Sequence, residues 1–141
     1  MPTELTPFLS RCYTTRNYSA SEPYPKCFYT DVRYAIENGE PVFYFSESEE
    51  GRIVRGADAN HDGVLQDPEV TEFYMFGTRF APDCIGAWRD SANNRTIVYV
   101  GMDATVSGQT LRGIWRLIDL NGDGDASDVG EAAPFVHARS W

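Results

Sequence analysis

The chain has 141 residues, enough for one domain or a row of small packed units but too few for two large independent domains. Aromatic residues make up 13% of it and recur with Val, Ile and Thr in short clusters broken by Gly and Pro, a composition that favours strands and turns over helices. A formal net charge of −9 without a basic patch argues against nucleic acid and anionic membrane surfaces as partners, and no stretch approaches the roughly 18 apolar residues that insertion as a membrane helix requires.

Residues 1–27 read as an extended N-terminal arm, rich in Tyr, Ser, Thr and Pro and poor in apolar periodicity. Its start, MPTELTPFLSR, lacks the basic-then-apolar profile of a secretory signal, so a signal has been removed or was never there. Cys12 and Cys27 bracket a segment rich in Tyr, Ser, Thr and Pro, and a disulfide between them would close a short loop, a stabilisation of about 3 kcal/mol in an oxidising compartment. The alternative is three buried reduced thiols; with the bridge, Cys84 is left free or intermolecular. No Cys-x-x-Cys pair exists and only His61 and His137 could join the cysteines, which disfavours zinc. Sequons at Asn17 and Asn94 suit surface loops of a secreted chain. The arm could also add a strand to the sheet edge of a neighbouring chain.

From residue 28 onward the chain alternates short apolar runs with turn signals. The first four predicted strands are Thr30 to Ile36, Val42 to Ser46, Arg52 to Ala57 and Glu69 to Phe76. The second four are Cys84 to Arg89, Thr96 to Met102, Arg112 to Asp119 and Ala132 to His137. Asn38-Gly39 and the run Asp90 to Asn94 have the composition of hairpin turns.

The two sets of four are copies of one another. Ile53, Arg55, Asp58, Asn60, Asp62 and Gly63 recur 61 residues later as Ile114, Arg116, Asp119, Asn121, Asp123 and Gly124. The run Val42 to Phe45 answers to Ile97 to Val100, with extra residues in the second copy before Arg112. The expected fold is therefore all-β, two tandem four-stranded antiparallel units, residues 28–82 and 83–141, each with an Asp-rich loop between its third and fourth strands.

Asp58 to Glu69 fits the twelve-residue calcium pattern D-x-[DN]-x-[DN]-G-x5-E at every specified position. Asp58, Asn60 and Asp62 supply oxygens, Gly63 the sharp turn, Val64 a backbone carbonyl, Gln66 a direct or water-held contact and Glu69 a bidentate closure. Hard oxygen donors at this spacing suit Ca2+ better than a transition metal. The second loop repeats Asp119, Asn121 and Asp123, with Asp125 placed to offer its carbonyl, but position twelve is Gly130; either Asp128 or Glu131 closes the shell if the loop bulges. Two Ca2+ ions are expected. The flanks are β-like rather than helical, so an EF-hand switch that opens a helix pair is disfavoured.

RIVRGADANHDGVLQDPEVTEF and GIWRLIDLNGDGDASDVGEAAPF resemble blades of bacterial extracellular β-propellers with Asp-rich calcium loops. The resemblance covers about residues 28–138 and implies one blade per repeat, with calcium between the third and fourth strands. Propellers close with typically 4–8 blades, and two repeats fall short. Completion would come from a closed ring of chains, an open head-to-tail filament or a longer chain.

The function that follows is a calcium-stabilised extracellular or cell-surface structural or adhesive module that self-associates, without catalytic residues. A carbohydrate-binding propeller lectin, with glycans stacked on aromatic rings, is the alternative, and a fragment of a propeller enzyme the second. Trp88 and Trp115 lie in apolar strand patterns and are expected in the core, whereas Trp141 is expected at the surface or in an interface. His61 and His137 have no Ser or Cys nucleophile in a recognisable elbow. Arg55 and Arg116 are expected to pair with acids of their own loops.

Overall fold

The structure, a computed structural model, describes residues 29–106 and 109–138. They form two four-stranded antiparallel sheets in which every strand pairs with its chain neighbour. Sheet one holds β1 (Tyr29–Glu37), β2 (Glu40–Glu47), β3 (Arg52–Ala57) and β4 (Val70–Met75); sheet two holds β5 (Phe80–Asp90), β6 (Arg95–Val106), β7 (Gln109–Ile118) and β8 (Ala132–Ala138). The arm, Cys12, Cys27, Asn17 and Trp141 lie outside the described residues, and with them the disulfide.

Local chemistry sets the strand ends. Asn38 and Gly39, at φ 53° and 91°, make a two-residue turn with both residues left-handed, whose twist matches the strands it joins. β4 begins one residue later than the apolar pattern suggests, because Asp67–Glu69 forms a short 3-10 turn with Pro at its start. β6 and β7 run past the first copy's lengths, since the extra residues of the second repeat extend their hairpin to Val106 opposite Gln109.

The repeat extends to irregularities in register. β1 bulges between Tyr29 and Asp31, and β5 between Pro82 and Cys84. The β3–β4 ladder slips at Phe73, and the β7–β8 ladder slips at Phe135. Bulges kept at equivalent positions bend both sheets in the same places.

Strand alternation gives each sheet two faces. One face of sheet one carries Val42, Tyr44, Ile53 and Phe73, and it packs on the face of sheet two that carries Ile85, Val98, Val100 and Leu117. The contact runs chiefly through β1 and β2 against β5. Two polar links fix it: the Thr30 hydroxyl donates to the Pro82 carbonyl at 3.0 Å, and the Ile85 N–H donates to the Asp31 carboxylate at 3.1 Å. At its margin Phe76 and Trp115 meet edge to face, ring centroids 5.5 Å apart.

On the other face of sheet one, Leu65 folds back from the first Asp-rich loop onto Phe45, Val54 and Val70. Gly56 makes its seat, for a Cβ there would stand 2.6 Å from a Leu65 methyl carbon. In the second repeat the bulk is exchanged: Ala126 takes Leu65's place and Leu117 takes Gly56's, and both are fully buried. Leu65→Ala would leave a cavity without that compensation and is expected to cost about 2–5 kcal/mol, read as a lowered urea midpoint.

The structure corrects one tryptophan. Trp115 packs in the joint as expected, but Trp88 is 56% exposed on the face of sheet two turned away from sheet one. Among the described residues no helix is long and apolar enough to cross a membrane.

Candidate metal sites

Each Asp-rich loop is wound around its own carboxylates. In the first, Asp58 accepts the N–H groups of Asp62 and Gly63 at 3.2 and 2.9 Å. The Asn60 side-chain carbonyl accepts the Asp62 N–H at 2.9 Å, and Asp62 accepts the Val64 N–H at 2.8 Å. Gly63 turns the chain with φ 82°. Glu69 then reaches back across the loop: Oε1 takes the N–H groups of Ala59 and Asn60 at 3.0 and 3.2 Å, and Oε2 takes that of Gln66 at 2.9 Å. The Gln66 amide donates to Asp62 at 2.7 Å.

The second loop is wound the same way. Asp119 accepts from Gly122 and Gly124, Asn121 from Asp123, Asp123 from Asp125, and Asp125 from Ser127. Here the grip of Glu69 is reproduced by Glu131, whose Oε1 takes the N–H groups of Leu120 and Asn121 at 2.8 and 3.4 Å and whose Oε2 takes that of Asp128 at 3.0 Å. Leu120 and Asn121 stand 61 residues after Ala59 and Asn60, while Glu131 stands 62 after Glu69, so one inserted residue is absorbed before the closing turn. Of the two residues left open by the sequence, it is Glu131 that accepts the N–H groups matching those held by Glu69. Asp128 falls where Gln66 stands in the first loop and accepts the Asn121 amide at 2.7 Å.

The loops differ in their support. Glu131 is buried and Glu69 is half-buried. Beside Glu131, the Ala126 N–H donates to the Phe73 carbonyl of sheet one at 2.8 Å, which ties the second loop into the joint between the sheets.

The loops carry oxygen donors, the chemical type that a hard divalent cation takes. Each carboxylate oxygen engaged by one N–H keeps a second lone pair, and Asp58, Asp62 and Glu69, like Asp119, Asp123, Asp128 and Glu131, form no ion pair with Arg or Lys among the described residues. Negative charge is therefore held within one short turn with no side-chain cation to offset it. Among the described residues no three acidic, imidazole or thiol groups already stand together as a ligand cluster. The side chains are held by backbone donors, with Asn60, Asn121 and loop carbonyls making up the rest of an oxygen set. His61 lies apart from this set, exposed, 3.9 Å from Glu40.

A second polar constellation was not legible in the sequence. Between the sheets, beside the second loop, a cleft of about 240 Å³ is lined by Glu37, Tyr44, Arg55, Arg89, Arg95 and Thr96. Glu37 ends β1 and gathers three donors: the Tyr44 hydroxyl, Arg55 at 2.8 Å and, from sheet two, the Thr96 hydroxyl at 2.7 Å. Arg55 thus pairs across its own sheet with Glu37 and not with a loop acid. Arg116, at the equivalent position, likewise pairs with no loop acid among the described residues, and its buried Nε has no hydrogen-bond partner among them. Asn94 sits in the β5–β6 turn with φ 51° and accepts from Arg89. Cys84 is a free, exposed thiol.

Burial pushes the Glu37 carboxyl up, but the hydrogen bonds from Tyr44, Arg55 and Thr96 outweigh it and hold the group below its ordinary value of 4.5. Burial and the bond to Glu37 raise the Tyr44 phenol. A depressed carboxyl stabilises the fold above its unfolded pKa, and that contribution is lost as pH falls through the folded value. Glu37→Gln is therefore expected to cost about 1.5–3 kcal/mol at pH 7. The gap to the native chain should narrow below pH 4.5, as measured by urea unfolding across that range. A gap independent of pH would show that the charge on Glu37 contributes nothing.

Comparison with known proteins returns no matching family model, no matching curated protein and no matching solved structure.

Proposed function

We propose that this chain is a calcium-stabilised structural or adhesive module of the extracellular or cell-surface kind, built from two blade-like units that stack and self-associate. The observation that carries the reading is the shared carboxylate grip. Two loops of different length, one closed by Glu69 and one by Glu131, bring a glutamate back to the same pair of backbone N–H groups. A turn that needed only to reverse the chain would have no call for that convergence of acids. Asp58, Asn60, Asp62, Val64, Gln66 and Glu69 would hold one Ca2+; Asp119, Asn121, Asp123, Asp125, Asp128 and Glu131 the other. The bound ion supplies positive charge where the loops have none, and so ties an apolar-poor connection to its strands.

Titration calorimetry of the pure chain with Ca2+ tests this directly. Two equivalents are expected, falling to one in Glu69→Gln and in Glu131→Gln, with Mg2+ a poor competitor because the loops offer many flexible oxygen donors. No heat of binding from the native chain would overturn the proposal.

A further inference from the structure

The joint between the two sheets also indicates how one copy meets another. Repeat-equivalent positions differ sharply in exposure. On sheet one, Ala35, Ile53 and Phe73 face sheet two and are 6%, 0% and 1% exposed. Their counterparts on sheet two, matched through the strand registers, are Trp88, Ile114 and Phe135, which are 56%, 37% and 57% exposed. The opposite side of the joint behaves likewise. Ile85 of β5 is 6% exposed against sheet one, whereas its counterpart Val32 on β1 is 45% exposed, with Tyr34 and Ile36 on the same strand face. Among the described residues nothing covers this face of sheet two or the β1 face of sheet one, and the two match, position for position, the halves of the joint already made inside the chain.

We propose that copies of this chain associate head to tail, the face bearing Trp88, Ile114 and Phe135 seating on the β1 face bearing Val32, Tyr34 and Ile36 of the next copy. The proposal deepens the stacking reading above and rests on it. A second copy is the occupant because both halves are present on one chain and are related by the same repeat that built the internal joint. Like the internal joint, the contact is apolar at its centre. The Arg116 Nε, without a hydrogen-bond partner among the described residues, lies on this same face of sheet two, beside Tyr99 in the register, and its counterpart Arg55 has its partner Glu37 at the covered joint. An acceptor from the incoming sheet would satisfy it. Because unlike faces meet, each added copy exposes the same pair of faces again, so association continues until a ring closes or a filament grows.

Sedimentation velocity of the full chain in Ca2+, over a hundredfold range of concentration, tests this. The native chain is expected to form assemblies larger than a dimer. Trp88→Arg and Tyr34→Arg, both at exposed positions and each with an unchanged melting temperature, should each be monomeric alone. Mixed in equal amounts they should form a dimer and nothing larger, since each variant keeps the face that the other lacks. Dispersal by Trp88→Arg with no effect of Tyr34→Arg would mean that like faces meet, and would overturn the proposal. A native chain that binds Ca2+ by calorimetry yet stays monomeric would overturn it and leave the metal reading standing; assembly without Ca2+ binding would do the reverse.

Discussion

Stripping calcium from this chain is expected to lower its melting temperature by on the order of 10 °C or more. Each site whose ion is present at about a hundred times its Kd contributes about 2.7 kcal/mol to the folded state. Two sites together, converted at roughly 2–4 °C per kcal/mol for a domain of this size, give that shift. The two loops should not respond alike. Glu131 is buried, and its loop is bonded through Ala126 to the Phe73 carbonyl of sheet one, so loosening it also loosens the joint between the sheets. Glu69 closes a more exposed loop on the outer side of sheet one. Glu131→Gln is expected to lower the melting temperature more than Glu69→Gln in saturating Ca2+, and the difference should shrink in excess chelator. Superimposable thermal melts of the native chain with Ca2+ and with chelator would sink the metal reading, whatever the variants did.

Arg52→Ala is expected to cost about 3–5 kcal/mol, the largest loss from any single side chain outside the loops. Arg52 begins β3 with its side chain 1% exposed, and its guanidinium faces three carboxylates: Glu50 at 2.9 Å, Glu47 at 3.5 Å and Glu72 at 3.6 Å. Glu47 and Glu50 are buried as well, and Glu47 also accepts the N–H groups of Glu49 and Glu50 at 3.1 Å. Removing the cation takes a buried guanidinium away from carboxylates that are themselves out of water, which costs far more than the pair itself was worth. Restoring neutrality in Arg52→Met combined with Glu47→Gln and Glu50→Gln should recover much of the loss. Urea unfolding of both variants measures this, and a loss under about 1 kcal/mol for Arg52→Ala would show that the cluster is solvated in solution. The turn is closed by Gly51, at φ 70°, whose carbonyl accepts the N–H groups of Phe76 and Gly77. A Cβ there would lie 2.1 Å from the Gly77 carbonyl oxygen, so no other residue fits without moving the β4–β5 connection.

The predicted strands, their order and the Asn38-Gly39 turn agree with the structure to within a few residues, because alternation of apolar residues and left-handed turn residues are properties of neighbours in the chain. The oxygen spacing from Asp58 to Asp62 is local in the same sense. The run Glu47 to Glu50 was not readable: four polar residues before a glycine look like a solvated turn, and only the burial of Arg52 over them makes them a core element. Trp88 departs from its expected place in the core for a related reason. Its strand pattern says that it alternates, but not which face has a neighbour.

By itself the sequence determined two tandem four-stranded units, one loop of clustered oxygens in each, and the pairing of positions between the repeats. Those features depend on contacts within a hairpin or a twelve-residue loop. The tertiary structure decided that Glu131 and not Asp128 accepts the N–H groups matching those held by Glu69, that Glu37 gathers Arg55 and Thr96, and that Ala35 is covered while Trp88, its counterpart, is exposed. Each of these depends on which segments meet across the sheet joint or on how a loop absorbs one extra residue. A repeated sequence cannot specify that difference, since two equivalent units become unlike only when one of them has a neighbour.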